Sequence, residues 1–296
     1  MKRSSARIAL LFASLVASCA SRSHGELPDI NEPYLGQEPP GSTPAVFAPG
    51  IVSTERWECC FAFAPDMKEF YLNRDDDTGE HMMFVMIQYE NNEWRETIIS
   101  PRVGEPFISP DNQTMHLGRR YKERATTGWS EIENLGGAFA DIPIMRLTAS
   151  SHGAYYFDEA TPEGNGVIRY SRLVNGEREA PRPASEVINT GTLTAHPFIA
   201  PDESYLLWDG VREEGFGGPD IYISFRQQDG SWGNAINLGD TINTDAAEGF
   251  ASVTPDGKYL FFGSNRNRTE ENPENIDIFW VDAQIIESLR SQQQAR

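Results

Sequence analysis

Between residues 58 and 281 the chain alternates short apolar, aromatic-rich runs with polar breaks, and the alternation repeats itself. Phe63-Ala64-Pro65-Asp66 leads to Phe70-Tyr71-Leu72, and Ile108-Ser109-Pro110-Asp111 leads to Met115-His116-Leu117. The phrase returns as Ile199-Ala200-Pro201-Asp202 before Tyr205-Leu206-Leu207-Trp208, and as Val253-Thr254-Pro255-Asp256-Gly257 before Tyr259-Leu260-Phe261-Phe262. A decayed copy without Pro-Asp, Leu147-Thr148-Ala149-Ser150 before Tyr155-Tyr156-Phe157, stands between the second and the last two. Each copy predicts a hairpin. Proline pre-sets φ at the first central turn position, Asp tolerates the second, and Gly257 suits a position where φ turns positive.

A third strand follows each hairpin where an apolar run is legible: Met83–Ile87, Val167–Tyr170, Asp220–Ile223 and Asp277–Val281. Turns at Asn91-Asn92, Thr127-Gly128, Asn175-Gly176 and Asp229-Gly230 then predict a fourth strand, since Asn-Gly and Asp-Gly between β runs are hairpin signals. From Asp66 to Asp256 is 190 residues over four steps, or about 47 per unit, within the range of propeller blades. The pattern therefore predicts an all-β chain: a β-propeller of four-stranded antiparallel blades, five in number, or six if the irregular stretch 136–150 hides another. The second unit is short, with 18 residues from Asp111 to Trp129 against 28 from Asp66 to Trp94, so its third strand should be clipped.

The last unit stops at a third strand, while residues 43–54 ahead of the first unit read as a displaced fourth. Thr43 to Thr54 matches Ala235 to Thr244 in ending apolar-polar-Thr. This N-terminal strand should close the ring and cover an open sheet edge. The expected organisation is a signal segment over 1–18, a flexible tether over 19–42, and one propeller domain over 43–296 with a short C-terminal tail. The Ser/Thr/Ala-Pro-Asp hairpins, Gly-x-Trp turns and Asn-Leu-Gly endings resemble the WD-repeat-like propeller repeats of the TolB type. That resemblance covers residues 43 to about 285 and implies architecture rather than activity.

The N-terminus carries Lys2, Arg3 and Arg7, then an apolar run from Ile8 to Ala17 too short to span a bilayer. Val16-Ala17-Ser18-Cys19 resembles the bacterial lipobox, which implies acylation of Cys19 and membrane attachment through a lipid anchor. By the same resemblance, Ala20 rather than Asp after the cysteine implies the outer membrane, facing the periplasm or the exterior. Removing residues 1–18 takes away three basic groups and no acids, leaving 22 basic against 44 acidic residues, a formal −22. Such a charge argues against nucleic acid as a partner and against docking on anionic head groups. Cys59 and Cys60 are adjacent on the first strand of blade one, where their side chains point to opposite faces. They read as buried small hydrophobes.

The innermost strands, which line the axis, carry the candidate chemistry. Glu58 and Glu248 stand eight residues before a hairpin Asp, Glu105 and His196 stand six before one, and Asp141 takes roughly the matching place in unit three. On a regular strand a separation of two preserves the face. The five would then converge on the axis and hold a cation or a basic peptide end. Phe216, in the glycine-rich loop between Asp209 and Asp220, is a candidate partner contact. The hairpin aspartates recur at equivalent places and read as turn residues. No nucleophile elbow, zinc-protease motif or metal-ligand spacing is present, so no cofactor or metal is expected. The expected function is a non-catalytic, monomeric binding or assembly module of the cell envelope, with a protein or peptide partner. A glycan hydrolase is the alternative, which would require paired carboxylates drawn from Glu58, Glu105 and Glu248.

Overall fold

The computed structural model describes residues 34–161 and 166–294. The signal segment and Cys19 lie outside them. Five four-stranded antiparallel sheets form the blades of a propeller. The strand β1 (Ala45–Val46) comes first in sequence but completes the last sheet. Blade one is β2 (Glu58–Phe63), β3 (Glu69–Asp75), β4 (Met82–Glu90) and β5 (Glu93–Pro101). Blade two is β6 (Pro106–Ile108), β7 (Thr114–Leu117), β8 (Arg120–Glu123) and β9 (Glu133–Asn134). Its third strand has 4 residues against 9 in blade one, the clipping that the spacing required. Blade three is β10 (Ile144–Ala149), β11 (Tyr155–Glu159), β12 (Ile168–Ser171) and, after a separate hairpin β13 (Leu173–Val174) and β14 (Glu177–Arg178), β15 (Arg182–Pro183).

That hairpin corrects one expectation. Asn175-Gly176 turns β13 back on β14 rather than into the fourth strand, because the blade's outer edge is taken by Arg182–Pro183 pairing with Arg169 and Tyr170. Blade four is β16 (Thr192–Ile199), β17 (Tyr205–Val211), β18 (Asp220–Phe225) and β19 (Ile236–Asn237). Blade five is β20 (Glu248–Val253), β21 (Tyr259–Ser264), β22 (Asp277–Asp282) and β1. The stretch 136–150 holds a short 3-10 turn and the start of blade three, so the count is five.

Ring closure follows the anticipated route: Ala45 pairs with Trp280 and Val46 with Phe279. Phe47 then enters the seam between the last and first blades, where it is fully buried with ring centroids 4.8 Å from Phe261 and 5.2 Å from Trp280. Residues 34–42, expected as tether, are partly docked. Tyr34 and Leu35 are buried in the same seam, and the Tyr34 hydroxyl donates to Asp256 at 2.7 Å. At the other end α1 (Gln284–Gln294), capped by Asp282 accepting from the Gln284 N–H, buries Ile286 against blades four and five.

The core is a set of wedges between blades rather than a single mass. The repeated tryptophans explain themselves here. Trp129 of blade two donates to the Tyr71 hydroxyl of blade one at 2.8 Å, and Trp232 of blade four meets Tyr156 of blade three edge-on. The hairpins are uniform too. Met67, Asn112, Gly153, Glu203 and Gly257 all have φ between 60° and 79°, and each donates its N–H three residues back. Blade three keeps this turn without Pro-Asp because Gly153 takes the left-handed position. The hairpin aspartates Asp66, Asp111, Asp202 and Asp256 each accept the N–H two residues on, at 3.0–3.2 Å. This is the local bond that holds an Asx turn.

Candidate functional site

Five equivalent turns give five equivalent positions on the innermost strands. Six residues before Asp66, Asp111, His152, Asp202 and Asp256 stand Cys60, Glu105, Arg146, His196 and Phe250. In four blades the pairing register breaks at this point: between Cys59 and Ala62, Ile144 and Leu147, Ala195 and Phe198, and Gly249 and Ser252. Cys60, His196 and Phe250 have φ of 57°, 49° and 58°. A bulge of this kind inserts a residue, bends the strand and re-aims a side chain. It also breaks the two-residue alternation that would have set Glu58 and Glu248 beside Glu105 and His196.

The second strands stitch the ring together. Asp158 of blade three accepts the Arg146 N–H at 2.9 Å and, across the seam, the His196 N–H at 2.8 Å. Asp209 of blade four accepts the Phe250 N–H of blade five at 3.0 Å. Asn73 of blade one donates to the Gly104 carbonyl of blade two at 3.0 Å. Buried backbone groups left open by the bulges thus find partners in the next blade.

His196 sits at the centre of this network. Its Nδ1 is 2.9 Å from both carboxylate oxygens of Asp209, and its Nε2 is 3.7 Å from Glu105 of blade two. Burial opposes its charge, but Asp209, Glu105 and Asp158 outweigh burial and raise it to about 9. Phe250 packs on the imidazole with ring centroids 4.1 Å apart. Burial pushes the Asp158 carboxyl up to about 6, with His196 pulling the other way. The three carboxylates around His196 thus favour its protonated form at neutral pH.

The other sequence candidates lie elsewhere. Glu58 accepts from the Thr54 hydroxyl and N–H and pairs with Arg74 at 3.3 Å. Glu248 does the same with Thr244 and with Arg266, also at 3.3 Å. These twin clamps fasten the segment before each blade and account for the matching Thr at positions 54 and 244. Burial raises the Glu58 carboxyl to about 7, with Thr54 and Arg74 opposing. Asp141 is exposed in a turn ahead of β10, and the ring position of blade three is filled by Arg146. Phe216 is 48% exposed on the loop between β17 and β18, which is tied down where Gly218 donates to Ala246 at 2.9 Å. A side chain on Gly217 would stand 2.6 Å from the Asp245 backbone, which is why glycine is needed there. Cys59 and Cys60 are both buried and free.

Below the bulges an axial cavity of about 400 Å³ runs toward the hairpin turns, and all five blades line it. Its wall is mainly Phe61, Phe63, Phe107, Ile108 and Phe198, with Pro65, Pro110, Pro201 and Pro255 at the turns. Arg146 is the charged residue in that wall, joined by the hydroxyls of Ser252 and Thr254. Arg146, Asp158 and Asp209 were missed from sequence. The signal for Arg146 was present: counting six back from the third turn finds it, once His152 is recognised in the place of Asp.

No family's sequence model and no curated protein matches the chain. Among solved structures, the chain is similar to an alpha-L-arabinofuranosidase from Lactobacillus brevis at 10% identity and a TM-score of 0.50, covering 77% of this chain and 90% of that one. It is similar to TolB from Acinetobacter baumannii at 12% identity and a TM-score of 0.44, where 77% of this chain spans 55% of the other. A gluconolactonase from Xanthomonas campestris gives 11% identity and a TM-score of 0.47, over 84% of this chain and 95% of that one. At such identities the likeness is one of propeller fold.

Proposed function

We propose that this protein is a lipid-anchored binding module of the cell envelope, tethered through Cys19, that receives its ligand in the axial cavity. The observation that carries the reading is the cavity itself: about 400 Å³, walled by five blades, apolar with a few convergent polar groups, as small-ligand sites are. The acids that a glycan hydrolase would draw on are engaged instead. Glu58, Glu105 and Glu248 each stand 3.3 Å from an arginine: Arg74, Arg102 and Arg266.

The experiment is capture of envelope components on the wild-type protein beside Ser252→Trp, which places an indole in the cavity. Capture by wild type and loss in the variant supports the reading. Equal capture by both moves the contact to the loop that carries Phe216 and overturns it. Anchoring is tested separately by palmitate incorporation, expected for wild type and absent in Cys19→Ser.

One observation favours a second, hydrolytic reading. Glu105 retains a buried carboxylate oxygen without a hydrogen-bond partner, and burial pushes the carboxyl of Asp158, in the same network around His196, up to about 6, conditions suited to acid–base work. Release of the aryl alcohol from chromogenic glycosides, abolished in Glu105→Gln, would establish it.

A further inference from the structure

Arg146 is fully buried, yet its Nε, Nη1 and Nη2 atoms all lack a hydrogen-bond partner. Among the described residues it forms no ion pair and no stacking contact with an aromatic ring; the Asp158 carboxylate accepts its backbone N–H, not its guanidinium. Arg74 of blade one and Arg266 of blade five are different. Arg74 meets Glu58, Glu96 and two backbone carbonyls, and Arg266 meets Glu248, Ser264 and the Ile242 carbonyl. A buried guanidinium with no counter-charge is costly, because low dielectric withholds the solvation that water would give it. Arg146 is one of the residues that line the axial cavity, which makes that cavity the place where a counter-charge would be received.

We infer that Arg146 anchors an anion site in the axial cavity, and that its ligand is a monocarboxylate carried on an apolar body. The inference rests on the cavity being the binding site, as proposed above. Three features select the ligand. A guanidinium presents paired N–H donors matching the two oxygens of a carboxylate. The wall offers no second cation, its other polar side chains being the hydroxyl-bearing Tyr205, Ser252 and Thr254, which disfavours a doubly charged phosphate or dicarboxylate. The rest of the wall, Phe61, Phe63, Phe107, Ile108 and Phe198, gains by covering apolar surface rather than sugar hydroxyls. A free organic acid and the C-terminal carboxylate of a peptide ending in an apolar residue share this chemistry.

The test is isothermal titration calorimetry at pH 7 on the full chain carrying Cys19→Ser, so that no detergent competes for the cavity. The probes are 3-phenylpropionate and its neutral amide, and N-acetyl-Ala-Phe with a free or an amidated C-terminus. At least one acid is expected to bind tenfold or more tightly than its own amide, and which acid does so separates the two sources. Arg146→Gln should bring the acid down to the level of the amide, while Arg146→Lys should retain part of the difference. An amide binding as tightly as its acid overturns the anion inference but leaves the cavity reading standing. A preference for acid that survives in Arg146→Gln overturns it as well, and so does the absence of binding by both acids at millimolar concentration. Thermal melting of the ligand-free variant gives an independent readout. Losing an uncompensated charge should leave the melting temperature of Arg146→Gln unchanged or raised. A fall of more than about 5 °C, or failure to fold, would mean that Arg146 is paired within the free protein, and the inference would fail.

Discussion

Replacing Asp209 by Asn tests the central network directly. The variant keeps an oxygen for the Phe250 N–H, now at 3.0 Å, but removes the charge facing His196 at 2.9 Å. His196 is raised from 6.5 to about 9: burial alone would lower it, and Asp209 is the largest opposing influence, followed by Glu105. A shift of that size corresponds to about 3 kcal/mol at roughly 1.4 kcal/mol per unit. Because the folded value lies above the unfolded one, this stabilisation is complete below about pH 6.5 and disappears as the pH rises through 9. Glu105 and Asp158 remain in the variant and keep part of the effect. Asp209→Asn should therefore cost about 2 kcal/mol at pH 6–7, shrinking toward zero by pH 10. Urea denaturation of both proteins at half-unit pH steps measures the difference. A cost that stays constant from pH 6 to pH 10 would refute the reasoning, since it would show that His196 is not held protonated by Asp209.

Phe47 is fully buried in the closing seam against Phe63, Phe70, Phe261 and Trp280, so Phe47→Ala should cost about 3–5 kcal/mol in urea denaturation. A loss below about 1 kcal/mol would show that ring closure does not depend on the N-terminal strand. His116 is lowered from 6.5 to about 3, chiefly by burial and then by Arg178. Its contribution is present above pH 6.5 and lost as the pH falls toward 3. His116→Leu should flatten that part of the stability profile, and an unchanged acid limb would count against a neutral buried imidazole.

Much of the architecture was legible because each blade repeats a local instruction. Proline sets φ, Asp closes the turn, and Gly257 or Gly153 accepts a positive φ whatever lies around it. The unpaired third strand of the last unit and the orphan strand before the first one implied each other, and β1 pairs with β22. The side hairpin at Asn175-Gly176 misled because that dipeptide specifies a turn without saying which strand receives the chain afterwards. Residues 34–42 looked like tether from composition, yet Tyr34 and Leu35 find a seam of aromatic rings that exists only once the ring has closed.

The axis divides the two kinds of knowledge most clearly. Sequence by itself determined the inner hairpins and the strand that closes the ring, and narrowed the blade count to five or six, because turn chemistry and apolar runs act over a few neighbouring residues. Which polar groups meet at the centre was decided by tertiary structure. A one-residue bulge reverses the facing of everything beyond it, so Glu58 and Glu248 turn to their Thr and Arg clamps while Glu105 and His196 come within 3.7 Å. Asp141 remains in an exposed turn, and Arg146 lines the cavity in a blade whose missing Pro-Asp concealed the register. Burial then sets their chemistry, since the charge a side chain carries depends on partners contributed by other blades, far away along the chain.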